Sequence, residues 1–272
     1  MGNGATNIIA PIATITIAIA TLFGDGLAAF FSLSLGKGEG EKAARGLGTS
    51  IIYGGIFGII WTVIAFAFLR PLCLIFGATE NILPYALDYG RIIVIGFSFQ
   101  IVGNAINSVI RTDGSPRYAM LAMMIGAVLN IILDPIFIFV FHWGVKGAAI
   151  ATVGSQLFGL LFNIAYLFRL KTIKLSRQSF SFDIQTAGRI ASLGFASGAN
   201  NLTSTVVAFV SNNLMTKYGA LSAYGADIPL TTFGLCMKVS MLAFSIGIGV
   251  ASGSQPIIGF NYGAKKPANK ST

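Results

Sequence analysis

The sequence predicts an all-α polytopic membrane protein of about seven transmembrane helices. Two bulk observations and one pattern predict it. Hydrophobic residues make up 54% of the 272 positions and charged residues only 10%, against about 25% charge in an ordinary soluble domain; mean hydropathy is +0.78. Glycine is abundant at 33 residues, as expected where membrane helices approach one another through small side chains. The pattern is a series of apolar runs, each near or above the roughly 20 residues that a helix needs to cross a bilayer.

Those runs are Ile8–Leu35, Leu47–Leu69, Tyr85–Ile110, Tyr118–Phe141, Val145–Arg169, Ala187–Met215 and Pro229–Phe260. The first is followed by more of the same kind, so it does not read as a cleaved signal peptide. The connections are short except for Leu170–Thr186, which is polar and basic. Threading the runs through a bilayer places Lys37, Lys42, Arg45, Arg111, Arg117, Arg169, Lys171, Lys174, Arg177, Arg189, Lys265, Lys266 and Lys270 on one side. Arg70, Arg91, Lys146 and Lys217 fall on the other. The basic excess marks the cytoplasmic side. The net charge of +9 therefore describes topology, and a nucleic-acid partner is not expected. The reading is a multi-pass protein of the cell membrane with residues 171–186 in the cytoplasm.

Taken in order, the first run carries Asp25 between Gly24 and Gly26. A carboxylate inside a span usually faces a cavity, so Asp25 is a candidate cation or proton site, with the cytoplasmic interface as the alternative. In the second run Gly54 and Gly58 have close-packing spacing. In the third, Gln100, Asn104 and Asn107 either line a cavity or hold helices together, and the second reading is favoured. The turn Arg111-Thr-Asp113-Gly-Ser-Pro116 is punctuated by Gly and Pro; its Arg and Asp are expected to cap helix ends or bind each other.

The fourth and fifth runs form a hairpin and carry the main candidates. Asp134 sits inside an apolar run, where a charge costs at least about 2.5–3.5 kcal/mol on insertion scales and is a functional-site hypothesis by default. Pro135 lacks the amide that would bond to the Ile131 carbonyl and forces that turn apart. A carbonyl freed this way is tolerated only where it faces protein or a wet cavity. Asn130, four residues before Asp134, projects from the same helix face. Counting outward from the turn at Gly144–Gly147, Asp134 matches Thr152 in depth and Asn130 matches Gln156, each pair forming one rung of the hairpin. All four offer oxygen, which hard cations prefer. Interhelical hydrogen bonding is the competing explanation.

His142 beside Trp143 suits the outer interfacial belt. In the sixth run Asn200 and Asn201 are expected to bond across helices. In the seventh, Lys238 either snorkels to the headgroups or carries a charge that alternates with substrate or proton. Cys73 and Cys236 match no metal or disulfide spacing. One histidine and the lack of HExxH, Walker or nucleophile-elbow patterns argue against an enzyme, and no cofactor is expected.

An internal repeat joins the first and last runs. Gly26 to Gly36 and Gly253 to Gly263 both space glycines ten apart at the end of a span running toward the basic side. Six spans between starts imply a parallel repeat, a common transporter plan with the substrate site between the halves.

Several stretches together resemble the multidrug and toxic compound extrusion (MATE) transporters. They are Gly-Lys-Gly-Glu-Gly-Glu-Lys-Ala (36–43), Arg-Thr-Asp-Gly-Ser-Pro-Arg-Tyr-Ala-Met (111–120), Gly-Ala-Val-Leu-Asn-Ile-Ile-Leu-Asp-Pro-Ile-Phe-Ile-Phe (126–139), Gly-Val-Lys-Gly-Ala-Ala-Ile-Ala-Thr (144–152) and Gln-Pro-Ile-Ile-Gly-Phe-Asn-Tyr-Gly-Ala-Lys-Lys (255–266). The resemblance implies a two-lobe bundle of twelve helices that exchanges Na⁺ or H⁺ for organic, often cationic, compounds. On that plan this chain corresponds to helices two to eight. Residues 1–170 form an N-terminal lobe lacking its first helix, 171–186 a linker, and 187–272 the first two helices of the second lobe. The family's cation site maps onto Asn130, Asp134 and Thr152, which would be the Na⁺ ligands if Na⁺ is the coupling ion. Gln156, Asp25 and Lys238 stand as further candidates for cation or substrate, Asp25 being a departure from the small neutral residue the resemblance implies. The family's helix-one Asp has no counterpart in the sequence. The partners expected are organic cations or drugs, the lipid bilayer, and a missing part of the same transporter. The competing readings are a truncated product or assembly partner without turnover, and a flippase of the wider superfamily.

Overall fold

The structure, a computed structural model, describes residues 2–78, 80–219, 221 and 227–264. Regular structure among these residues is entirely helical. Two long helices, α1 (Gly2–Gly36) and α2 (Gly40–Ala67), precede the short α3 (Leu69–Ile75). They are followed by α4 (Leu83–Thr112), α5 (Pro116–Pro135), α6 (Gly144–Leu167), α7 (Ile184–Gly219) and α8 (Asp227–Gly263). Each apolar run is therefore a helix. Lys265, Lys266 and Lys270 lie outside the described residues.

The boundaries move where the sequence contains a breaker or a polar start. The second run was expected to begin at Leu47, but α2 starts at Gly40, because its polar first turns continue the helix beyond the apolar window. The same helix stops at Ala67, with Phe68 at φ −101° and ψ 15°. Pro71 follows in the first turn of α3, where its missing N–H is harmless; inside a continuous helix its ring would strike the Ala67 carbonyl. Six of the seven long helices are apolar and long enough to cross a membrane. The seventh, α7, has the length at 36 residues, but its Asn, Ser, Thr and Gly content dilutes its hydropathy.

The hairpin of α5 and α6 does not turn as a plain α-helix would. Beyond Pro135 the chain widens into a π-helical segment, Ile136–Val140. The Phe141 amide donates to the Ile136 carbonyl at 3.0 Å, and the Trp143 amide to the Phe137 carbonyl at 3.0 Å. Phe141 stacks on Trp143 at 5.2 Å and Phe137 lies 5.3 Å from the same indole. Gly147 of α6 rests on the Phe137 backbone, where a Cβ would come to 2.8 Å. These contacts fix the turn end of the hairpin. His142 is exposed there with φ 55°.

The other end of α5 is pinned by a carboxylate. Asp113 closes α4 and is 1% exposed. It accepts from the Tyr166 hydroxyl at 2.9 Å, from the amides of Lys171 and Thr172 at 2.8 and 2.9 Å, and from the Thr172 hydroxyl. Arg111 turns instead to Ser108 Oγ at 3.0 Å. Of the two expected roles, capping a helix end or pairing with each other, Arg111 and Asp113 do not pair; Asp113 stands at the C-cap of α4 and takes its donors from the end of α6 and the start of the linker.

α1 is the central element, packed against α2, α4, α7 and α8. One apolar cluster groups Ile9, Ile12, Leu69, Val94 and Phe97; another groups Leu27, Phe30, Phe31, Leu47, Val109 and Ile190. Toward the linker side, α1 meets α7 and α8 backbone against backbone. A Cβ on Gly26 would overlap the Ile190 carbonyl, and one on Gly194 the Leu22 carbonyl. A Cβ on Gly36 would overlap the Phe260 carbonyl, and one on Gly263 would come to 3.2 Å from the Gly36 Cα. The last glycines of the two repeat segments, Gly36 and Gly263, thus face each other, whereas Gly253 has open space where a side chain would stand. Gly54 takes an ordinary contact with Ile101, and Gly58 sits tightly on Ser98.

Candidate functional site

A cavity of about 400 Å³ opens among α1, α4, α5 and α6. Its wall is mostly apolar, with Ile17, Phe99 and Met123, and carries a set of amides and hydroxyls: Gln100, Asn104, Asn107, Asn130, Thr152, Gln156 and Asn163. Asn130 and Thr152 join this wall to Asp134. Asn130 Nδ2 lies 3.4 Å from Asp134 Oδ1 and 3.4 Å from Thr152 Oγ1. Thr152 donates its own proton to the Ala148 carbonyl at 2.9 Å, which leaves its oxygen lone pairs facing Asn130. The three side chains are half-buried.

The hydrogen bonds formed differ from the two expected rungs. Thr152 is bonded to Asn130, and Gln156 is bonded to neither Asn130 nor Asp134 among the described residues. The π segment acts in this direction, because its i→i+5 turns take more residues for a given rise than α turns do, but five such residues shift the count by only about one position. The reach of the Asn130 amide across the hairpin supplies the rest. Gln156 instead presses its Oε1 against Gly96 of α4, and that oxygen is buried without a hydrogen-bond partner among the described residues.

Two contributors were missed in the sequence. Tyr89 of α4 lies within electrostatic reach of the Asp134 carboxylate. The sequence did not mark it, because periodicity cannot say which side of α4 meets α5. Asn163 donates to the Gly103 carbonyl at 3.1 Å and accepts from Asn107 at 3.4 Å. It was legible: it lies seven residues beyond Gln156, on the same helical stripe as Thr152. Asn107 also donates to the Ala119 carbonyl at 3.0 Å, and Asn104 to the Ala20 carbonyl at 2.8 Å. These amides therefore both hold helices and line the cavity. Asn201 bonds to Thr21 Oγ1 at 3.1 Å, as expected of a cross-helix contact, while Asn200 is exposed. Asp25 lies away from this cavity's wall, and Lys238 sits in α8 with its side chain outside the described residues.

Comparison with known proteins agrees with this architecture. The MatE family model matches residues 4–136. The multidrug export protein MepA of Staphylococcus aureus (strain MSSA476) is 26% identical over 268 residues, covering 96% of this chain and 57% of MepA. MepA of Staphylococcus haemolyticus is 27% identical over 275 residues, covering 98% of this chain and 58% of that protein. This chain thus spans somewhat under three fifths of the length of these relatives. A crystallised MATE in complex with MaD3S superposes with a TM-score of 0.89 at 27% identity, covering 97% of this chain and 59% of its own. A MOP superfamily transporter from Pyrococcus furiosus does so with a TM-score of 0.88 at 26% identity, covering 96% of this chain and 57% of its own. The chain is thus similar to MATE transporters, in sequence over residues 4–136 and in helical architecture over nearly its whole length.

Proposed function

We propose that this chain provides the cation-coupled, drug-binding part of a multidrug exporter, an antiporter that moves organic cations in exchange for Na⁺ or H⁺. The observation that carries this reading is the sharing of Asn130 and Thr152 between the Asp134 cluster and the wall of the apolar, amide-studded cavity. A cation taken up at Asp134 would alter the wall that an organic cation touches.

The donor set suits a small hard cation: a carboxylate, a hydroxyl and an amide, all able to present oxygen. The Asn130 amide nitrogen faces Asp134 and Thr152, so its N–H groups stand where a cation would. Na⁺ loading requires the amide to rotate and offer Oδ1. Protonation of Asp134 would satisfy the same cluster with the carboxyl proton. Exchange then proceeds by alternating access. In this reading residues 1–170 and 187–272 belong to two lobes joined by 171–186, the linker faces the cytoplasm, and the membrane is the plasma membrane. Gln156, which lines the cavity wall, is a contact for the organic cation.

The test is binding of tetraphenylphosphonium to the chain in lipid nanodiscs, titrated with Na⁺ at fixed pH and with protons at fixed Na⁺. One of the two ions is expected to weaken binding by about tenfold, or about 1.4 kcal/mol, in the wild type, and Asp134→Asn to abolish that sensitivity. An Asp134→Asn variant that keeps it would sink the reading.

A further inference from the structure

A second carboxylate lies within a span, where α1 meets three other helices. Asp25 is flanked by two contact glycines. A Cβ on Gly24 would come to 2.8 Å from Asn104 Nδ2 and 3.1 Å from Ser108 Oγ on α4, while Gly26 lies on the α7 backbone at Ile190 and Gly194. From α8, Gln255 Nε2 donates to the Asp25 backbone carbonyl at 3.1 Å. The Asp25 side chain is half-buried. At about 100° per residue it stands some 40° around α1 from Thr21 and about 6 Å nearer the linker end. Thr21 lines the large cavity, so Asp25 continues the cavity-facing side of α1 toward the seam with α8.

Arg111 is oriented to meet it. This residue is in the last turn of α4, where a long cationic chain ordinarily snorkels out to the headgroups. Its Nη2 instead donates to Ser108 Oγ at 3.0 Å, one turn back. Ser108 is the residue against which Gly24 packs, so the guanidinium lies alongside the Gly24–Asp25 stretch and is electrostatically coupled to the Asp25 carboxylate. The two do not close to an ion pair; the ion pairs among the described residues are Lys42–Glu39 and Lys146–Asp88. Asp25 thus keeps a nearby counter-charge, and its carboxylate oxygens accept no hydrogen bond among the described residues. α8 is held against this part of α1 by the Gln255 hydrogen bond and by close glycine contacts such as Gly36 on the Phe260 carbonyl.

We propose that Asp25 is a second cation-binding carboxylate, distinct from Asp134, which Arg111 neutralises while α8 lies against α1 and which a monovalent organic cation occupies when that contact opens. Arg111 is then a tethered competitor, holding the place of the transported cation in the closed seam. The inference rests on reading the chain as part of an alternating-access exporter.

Tetraphenylphosphonium, which binds by charge and shape without hydrogen bonds, is the probe, measured calorimetrically on the full chain in nanodiscs. Arg111→Gln should bind it about tenfold more tightly, about 1.4 kcal/mol. The gain should persist in Asp134→Asn/Arg111→Gln and vanish in Asp25→Asn/Arg111→Gln. Ser108→Ala, which removes the anchor of Arg111 and keeps its charge, should give about a threefold gain and serves if Arg111→Gln does not fold. No gain in either variant, or a gain that survives loss of the Asp25 carboxylate, overturns the proposal. If the probe's ion sensitivity disappears with Asp134→Asn but Arg111→Gln adds nothing, the exporter reading stands and this inference alone falls. The reverse pattern removes Asp134 from the coupling role and keeps Asp25.

Discussion

Replacing Asp113 by Ala should be among the most damaging single changes outside the cavity. The carboxylate is 1% exposed and receives four hydrogen bonds: one from Tyr166, one from the Lys171 amide and two from Thr172. A hydrogen bond to a charged partner contributes roughly 1.5–3 kcal/mol. The four are not additive, since one acceptor serves them all and its own desolvation offsets part of the gain. Removal takes the acceptor from four donors, two of them backbone amides, and breaking such a buried charged centre costs about 3–5 kcal/mol. At about 2–4 °C per kcal/mol for a chain of this size class, the lower bound corresponds to a fall in Tm of roughly 6–12 °C. Intrinsic-fluorescence melting in detergent measures it, and Asp113→Asn, which retains one acceptor oxygen, should fall between. An Ala variant that melts within about 2 °C of the wild type would refute the argument that this carboxylate ties the linker to the α4–α5 turn.

Two further predictions concern the helix seam and the start of α7. Gly26→Ala should destabilise the chain by about 1–3 kcal/mol, because the obstructing atoms are α7 backbone and cannot rotate away. Gly154→Ala in α6, with open space around its Cα, should be neutral or gain up to about 1 kcal/mol from helix propensity, and thermal melting of the pair separates crowding from propensity. Asp183 caps α7: its Oδ1 accepts the Gln185 and Thr186 amides at 3.0 and 3.1 Å, and its Oδ2 the Thr186 hydroxyl at 2.6 Å. The hydrogen bonds from Thr186 hold its carboxyl below the ordinary Asp value. With the folded-state pKa depressed, this contribution is present above the unfolded value of about 3.9 and is lost as pH falls through the folded value. Asp183→Ala should cost about 1 kcal/mol at pH 7, and its difference in melting temperature from the wild type should shrink as pH falls below about 3.9.

Much of the architecture was readable from composition and spacing. Seven apolar runs become seven long helices because no other backbone arrangement satisfies its polar groups in lipid. The Asn130–Asp134 pair was legible because a four-residue spacing puts both on one helix face. Thr152 was found by counting, but it bonds to Asn130 rather than to Asp134, because a depth count along two helices ignores how far an amide side chain reaches across the hairpin. Tyr89 was invisible for a different reason: hydrophobic periodicity does not say which neighbour each face of α4 meets. The Asp113 latch could not be read either, because its donors lie 53 to 59 residues away in sequence and two of the four are backbone amides of an irregular segment. The glycine repeat fared better than its weak sequence signal suggests at one end, where Gly36 meets Gly263.

The π-helical segment Ile136–Val140 also has a mechanical consequence. A widened turn holds one more residue than an α turn of the same circuit. Returning it to α geometry would hand that residue to its neighbour and twist one flank against the other by about 100°. The Phe137, Phe141 and Trp143 rings and the Gly147 contact hold the turn flank in place. The rotation would therefore be delivered to the other flank, swinging Asn130 and Asp134 away from Thr152 together. α5 carries only Ala119 and Ala122 as buried side chains; what resists that motion is the start of the helix, where Tyr118 stacks on Phe162 at 4.6 Å and donates to the Phe162 carbonyl at 2.9 Å. The hairpin thus contains a ratchet with one tooth: a single residue's worth of winding separates an assembled polar cluster from a dispersed one.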